Sequence, residues 1–190
     1  MKICLLGEKA FERLTPIIHD HFPDTILNTN EPLTGKIIEN TDLFVSYGYR
    51  HIITSDMLKR MKRAPINLHI SLLPWNRGAD PNFWSWLDDT PKGVSIHLID
   101  EGVDTGSLIA QASTVFMQEE TLKTSYETLE EHVEELFDMV WPQIRMNDFV
   151  LKDQIGTGTV HKKQDLEKFR DKLDRKGWDT PVNEVRSWKI

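Results

Sequence analysis

Short apolar runs alternate along the chain with amphipathic stretches, the pattern of helices packed on a mostly parallel sheet. The run KICLL (residues 2–6) predicts a first strand ending at Gly7, and the stretch from about Lys9 to His21 a first helix. TDLFVSYGY (41–49) and INLHI (66–70) predict further strands, with a short helix between them in TSDMLKRM, capped by Thr54 or Ser55. DPNFWSWLDD places Pro81 in the favoured first turn of a helix. GVSIHLID and SLIAQASTVF then give two strands with alternating faces.

The longest helix carries the clearest period. Thr124 and Glu127 have capping-box spacing, and Tyr126, Leu129, Val133, Leu136, Phe137, Val140 and Ile144 follow at steps of three and four. That stripe reads as core. GTGTV (156–160) predicts a turn or short hairpin, and HKKQDLEKFRDKL (161–173) a final helix. The fold class expected is therefore α/β, a Rossmann-like, mostly parallel sheet flanked by helices, with residues 1–150 as the main domain. Residues 151–190 form a short hairpin and helix appendage, docked on that domain or on a second subunit through Trp178 and Trp188, so a homodimer is one expectation.

Length and composition agree with this. A chain of 190 residues, 39% hydrophobic and 28% charged, is ordinary for a soluble globular protein with one sizeable core. No apolar run approaches membrane-spanning length, and the one beginning MKICLLG is too short for a signal peptide, so the expectation is a cytoplasmic protein with no membrane partner. The single Cys4 reads as a small buried hydrophobe. A net charge of −7 disfavours nucleic acid, although residues 151–190 hold ten Lys and Arg against seven Asp and Glu. That basic segment reads as a solvated helix or as help in meeting a phosphate-bearing substrate.

Chemistry concentrates in INLHISLLPWNRGADP. Side chains at i and i+2 of a strand share a face, so Asn67 and His69 meet one site together. An amide donor beside an imidazole suits oxyanion stabilisation in acyl transfer, and Asp104, in the turn IDEGVDTGS, is the carboxylate placed to tune the imidazole. Each signal has a bland counterpart, a structural histidine and an ordinary Asp-Thr-Gly turn. The DTGS wording also occurs in aspartic proteases, but these need two such carboxylates and an all-β frame. One Gly7 after the first strand, with no G-x-G-x-x-G, excludes a dinucleotide oxidoreductase, and the seven histidines form no recognised metal-ligand cluster, so no metal is expected.

Taken together, INLHISLLPWNRGADP followed by GVSIHLIDEGVDTGSLIAQ resembles the catalytic domain of enzymes that transfer a formyl group from 10-formyltetrahydrofolate. VSYGYRHII, LLPWN and DDTPKGV look closest to the sugar N-formyltransferases and the formylation domain of linear gramicidin synthetase. The resemblance covers about residues 1–145. It implies a catalytic Asn67, His69 and Asp104, and a folate site between Tyr49, His51 and Ile53 on one loop and Asp100, Glu101, Gly102 and Val103 on another.

It also implies an acceptor site after the catalytic strand, at Trp75, Asn76, Arg77 and Gly78, with a primary amine on a nucleotide-linked amino sugar as acceptor. Arg77 reads equally as a surface ion pair, and His97 as structural or functional. His161, Lys162 and Lys163 are weaker candidates for a nucleotide diphosphate. Methionyl-tRNA or glycinamide ribonucleotide as acceptor, or a folate-binding relative without activity, are the alternatives. The residues after the long helix are too few for the extra barrel of the tRNA enzymes.

Overall fold

A computed structural model describes residues 1–116 and 119–189. Six strands, β1 (Lys2–Leu6), β2 (Thr25–Thr29), β3 (Leu43–Ser46), β4 (Ile66–His69), β6 (Gly93–Leu98) and β7 (Leu108–Ser113), form one sheet in the order β2-β1-β3-β4-β6-β7. The first four are mutually parallel, while β6 runs antiparallel to both β4 and β7. This is the mostly parallel α/β sheet expected.

Strand β1 shows why its sequence reads as a continuous apolar run. Ile3 and Leu5 point into a core shared with α1 (Glu8–His21) and the long α5 (Leu122–Met146). Cys4 and Leu6 point the other way, toward Ile38 of α2 (Gly35–Glu39) and Met57 and Leu58 of α3 (Ser55–Arg60). A parallel strand covered on both faces has no polar side. Burial of Cys4 pushes its thiol up to about 11, in keeping with a packing role.

Strand β4 is staggered along its neighbour, with Ile66 and Asn67 beside Val45 and Ser46, the last two residues of β3. Leu68 and His69 therefore project past the carboxyl edge of the parallel strands, where open α/β sheets place their ligands. Ile66 and Leu68 take the α1/α5 side, so Asn67 and His69 face the opposite side.

The carboxyl-terminal segment closes on its own chain. Phe169 from a 3-10 turn (Lys163–Phe169), Val182 and Val185 of α7 (Val182–Arg186) and Trp188 form a second core with Phe83, Trp84, Trp86 and Leu87 of α4 (Pro81–Leu87). Trp188 is buried here, whereas Trp178 is 48% exposed. The expected continuous helix over 161–173 is instead the 3-10 turn followed by α6 (Arg170–Leu173). A three-residue period stacks Leu166 above Phe169 on one ridge, and both pack on the α4 cluster. The GTGTV turn forms no hairpin: β8 (Val160–His161) pairs in parallel with β5 (Arg77–Gly78). Helix α5 starts earlier than expected, with Thr121 as its cap and Thr124, rather than Glu127, as the reciprocal partner.

Candidate active site

Register assembles the polar cluster. Asn67 lies directly opposite His97 on antiparallel β6, so both side chains share a face with His69. Asp104 reaches the same face from the β6–β7 turn, in a left-handed conformation with φ 50°. The Asn67 amide donates to Asp104 Oδ1 at 3.4 Å and lies 3.2 Å from His97 Nε2. Asp104 Oδ2 accepts from the Gly78 N–H at 2.8 Å and lies 3.7 Å from His69 Nδ1. The residues singled out from an i, i+2 spacing and a distant turn thus converge in space.

The protonation states follow from the surroundings. His69 is buried, which pushes its pKa down despite the nearby Asp104 carboxylate. Its Nε2 faces the Asn76 carbonyl at 3.2 Å, an acceptor only, so the neutral ring carries its proton there. Nδ1 is then left with a lone pair turned toward Asp104. Burial pushes the Asp104 carboxyl upward, but the charge His69 carries once protonated in acid, the His97 hydrogen bond and the Gly78 N–H outweigh it and hold the carboxyl well below the usual range. The cluster thus pairs an ionised carboxylate with a neutral imidazole.

A web of hydrogen bonds holds the surrounding loops. Gln154 donates from its amide to the carbonyls of Asp104 at 2.8 Å and Gly106 at 2.9 Å. Its side-chain oxygen accepts from Arg77 Nε and Nη2 at 3.0 and 2.6 Å. Ser95 Oγ and the Gln111 amide brace the Ser71–Leu73 turn, with Ser95 donating to the Ser71 carbonyl and Gln111 to that of Leu73.

These contacts revise the acceptor residues expected after the catalytic strand. Asn76 is fully buried, its amide donating to Thr90 and its side-chain oxygen accepting from Thr159, so it shapes the loop and cannot meet a substrate. Arg77 spends its fork on Gln154 rather than on a surface carboxylate. Trp75 lies outside the cleft lining, whereas Gly78 is part of it. His161 is stacked flat on Trp84, ring centroids 4.1 Å apart, and is therefore a packing residue.

Asn67, His69 and Asp104 open onto a cleft of about 500 Å³, which Tyr49 and Gly78 also line. Its remaining polar lining includes residues that the sequence did not single out, Glu8, Lys9, Arg50 and Asp80. Tyr126, expected as core, turns its hydroxyl to Lys9 Nζ at 2.6 Å, and Lys9 also bonds Glu130. The signal for this group is only visible in three dimensions, since α1 and α5 are a hundred residues apart. Of the expected folate loops, Tyr49 and His51 bond the carbonyls of Glu31 and Asn30, and Ile53 packs under α3. Asp100 caps its own turn through Gly102 N and Thr105, Glu101 accepts from Ser55 and Val103 is exposed. The Ser55–Glu101 bond joins the start of α3, just beyond the first loop, to the second.

Residues 29–140 match the formyl transferase family, and the chain belongs to it. The formyltransferase PseJ from Anoxybacillus kamchatkensis, solved in complex with UDP-4,6-dideoxy-4-formamido-L-AltNAc and tetrahydrofolate, is 45% identical, with a TM-score of 0.89 over 97% of both chains. A 4-N formyltransferase from Francisella tularensis shares the fold, with a TM-score of 0.80 at 21% identity over 88% of this chain and 78% of the other. Methionyl-tRNA formyltransferase of Gloeothece citriformis (strain PCC 7424) is 37% identical over 93 residues, 48% of this chain. That match spans only 28% of the longer relative.

Proposed function

We propose that this protein transfers the formyl group of 10-formyltetrahydrofolate to the primary amine of a nucleotide-linked amino sugar, such as a 4-amino-4,6-dideoxy sugar. The observation that carries the reading is the convergence of Asn67, neutral His69 and ionised Asp104 on one cleft. The likeness to PseJ across nearly the whole chain supports the acceptor class, because that enzyme was solved with a formylated nucleotide sugar and tetrahydrofolate. The folate lies between the Tyr49–Ile53 and Asp100–Val103 loops in this reading. The cleft volume falls within the usual range for a small-molecule site.

The chemistry needs no covalent enzyme intermediate. The amine nitrogen attacks the formyl carbon, and the carbonyl electron pair moves onto oxygen. His69 Nδ1 holds the only lone pair on its ring and takes the proton that the attacking amine must lose. The imidazolium so formed lies 3.7 Å from the Asp104 carboxylate, which stabilises it. The Asn67 amide exchanges its long 3.4 Å bond to Asp104 for the developing oxyanion. Collapse of the intermediate breaks the bond to the folate nitrogen, which receives the proton from His69. The products are the formamide and tetrahydrofolate.

The test is an assay of formyl transfer from 10-formyltetrahydrofolate to a panel of UDP- and dTDP-linked amino sugars, with glycinamide ribonucleotide and methionyl-tRNA as comparators. The acceptor's mass gain and folate release are both followed. Transfer to a nucleotide-linked sugar is expected. Transfer confined to a comparator would overturn the acceptor and keep the mechanism, and no transfer to any amine would overturn both.

A further inference from the structure

Beside the catalytic cleft lies a second concavity of about 440 Å³, lined by Asp80, Lys163, Leu166, Arg170 and Trp178 among others. Asp80 lines both spaces, so the two adjoin at this residue. We infer that this second concavity holds the nucleoside diphosphate of the acceptor while the sugar enters the cleft past Asp80. The inference rests on the nucleotide-sugar reading and assigns residues to it.

Asp80 is the first indication. It is left-handed, φ 53° and ψ 44°, directly before Pro81, a conformation costly for a residue with a side chain and disfavoured before proline. As the residue preceding α4 it makes no side-chain cap, and among the described residues its carboxylate has no hydrogen bond or ion pair. Burial pushes its pKa up, opposed by Lys163. A strained, half-buried acceptor that makes no hydrogen bond among the described residues and has Lys163 acting on it only through its charge, set between two cavities, is placed to receive hydroxyl groups of a ligand passing through.

The far wall supplies two further groups. Trp178 is the one tryptophan left substantially open, 48% exposed, and its indole stacks on no other ring among the described residues. An open indole offers a face to a nucleobase. Lys163 has neither hydrogen bond nor ion pair for its ammonium among the described residues, whereas Arg170 is tied to Glu167. The charge of Lys163 acts on Asp80 and Glu167 only at longer range, which leaves its N–H groups for a phosphate. With Glu167 and Asp174 also lining the wall, charge by itself attracts phosphate weakly, and stacking on Trp178 supplies the hold. Inorganic phosphate should accordingly compete poorly where UDP competes well.

The test uses the full chain. UDP binding is measured by calorimetry, and KM for both substrates is measured for wild type, Trp178→Ala, Trp178→Phe and Lys163→Ala. Trp178→Ala is expected to weaken UDP and raise the acceptor KM about tenfold or more, since stacking on an aromatic face carries that order of effect. Lys163→Ala should do so several-fold, with kcat and the folate KM little changed in both. Trp178→Phe should restore part of the loss, an outcome a merely structural Trp178 would not give. Wild type that binds UDP with all three variants unaltered would overturn the assignment and leave the nucleotide-sugar reading standing. Wild type that formylates an amine yet neither binds nor uses any nucleotide-linked sugar would overturn both.

Discussion

The Gln154 side-chain amide donates to the main-chain carbonyl of Asp104 at 2.8 Å, binding a residue beyond the matched family region to the carboxylate at the centre of the site. Its opposite end accepts from Arg77 Nε and Nη2, so two chain segments 77 residues apart meet at one left-handed turn. In the proposed mechanism Gln154 is thus a positioning residue. Gln154→Ala removes both amide bonds and leaves the Arg77 fork unpaired, at a cost of roughly 1–3 kcal/mol. The expected result is a fall in kcat of tenfold or more, with KM for both substrates nearly constant and the acid limb of the pH profile moved. An unchanged profile beside an equal loss of stability would reduce Gln154 to a fold-holding role.

The pH dependence follows from His69. Burial depresses its folded pKa below the ordinary value of 6.5, so the neutral base persists at neutral pH and for some distance below. The expected kcat/KM is flat through neutrality and falls only in acid, as His69 takes up its proton. Stability has the same sign. The unfolded chain binds the proton first on acidification, so the contribution of His69 is fully present above pH 6.5 and lost as pH falls through the depressed folded value. An NMR titration of the His69 ring that breaks above 6.5 would contradict this assignment.

Asn67→Ala and His69→Ala test the two catalytic roles proposed. Each is expected to lower kcat about a hundredfold to a thousandfold while folate binding stays within a few-fold of wild type. Asp104→Asn keeps the shape and removes the charge that holds the imidazolium. Because the ionised carboxylate favours protonated His69, its loss should lower the His69 pKa further, and NMR titration of the ring reads that shift directly.

The bond from Ser55 to Glu101 ties the start of α3, which follows one loop proposed for the folate, to the other loop. Ser55→Ala should therefore raise the KM for 10-formyltetrahydrofolate several-fold and leave the acceptor KM alone. An effect confined to the acceptor would reassign these loops.

Much of this was legible in the sequence because it rests on local periods. Strand β1 is buried on both faces and reads as a solid apolar run, and Asn67 and His69 share a face by the two-residue period of a strand. Contacts between distant segments were not legible. Nothing local to Asn76 tells that Thr90 and Thr159 will engage its amide, or that Arg77 will find Gln154 instead of a phosphate or a surface carboxylate. Strand β2 is an edge strand with a mostly exposed pattern, so TILNT lacks the apolar run that marks its neighbours. The tail was misread where three-residue spacing of Leu166 and Phe169 favoured a 3-10 turn over a helix.

Gly78 offers the sharpest single-atom test of how the tail supports the site. Its φ is +90°, and a Cβ added there would lie 2.2 Å from the His161 carbonyl oxygen, across the β5–β8 pairing. Its N–H holds Asp104 Oδ2 at 2.8 Å. Gly78→Ala must therefore either push His161 away or rotate its own peptide, and either movement draws the donor from the carboxylate. The left-handed backbone alone costs a non-glycine residue about 1–2 kcal/mol. For a chain of this length that corresponds to a melting temperature lowered by roughly 2–8 °C. Activity should fall further than stability, because below that melting point the protein stays folded but Asp104 has lost its anchor. Near-normal kcat in a destabilised Gly78→Ala protein would show that the Asp104 carboxylate is held without this N–H, and would move the anchoring role to His97 and Asn67.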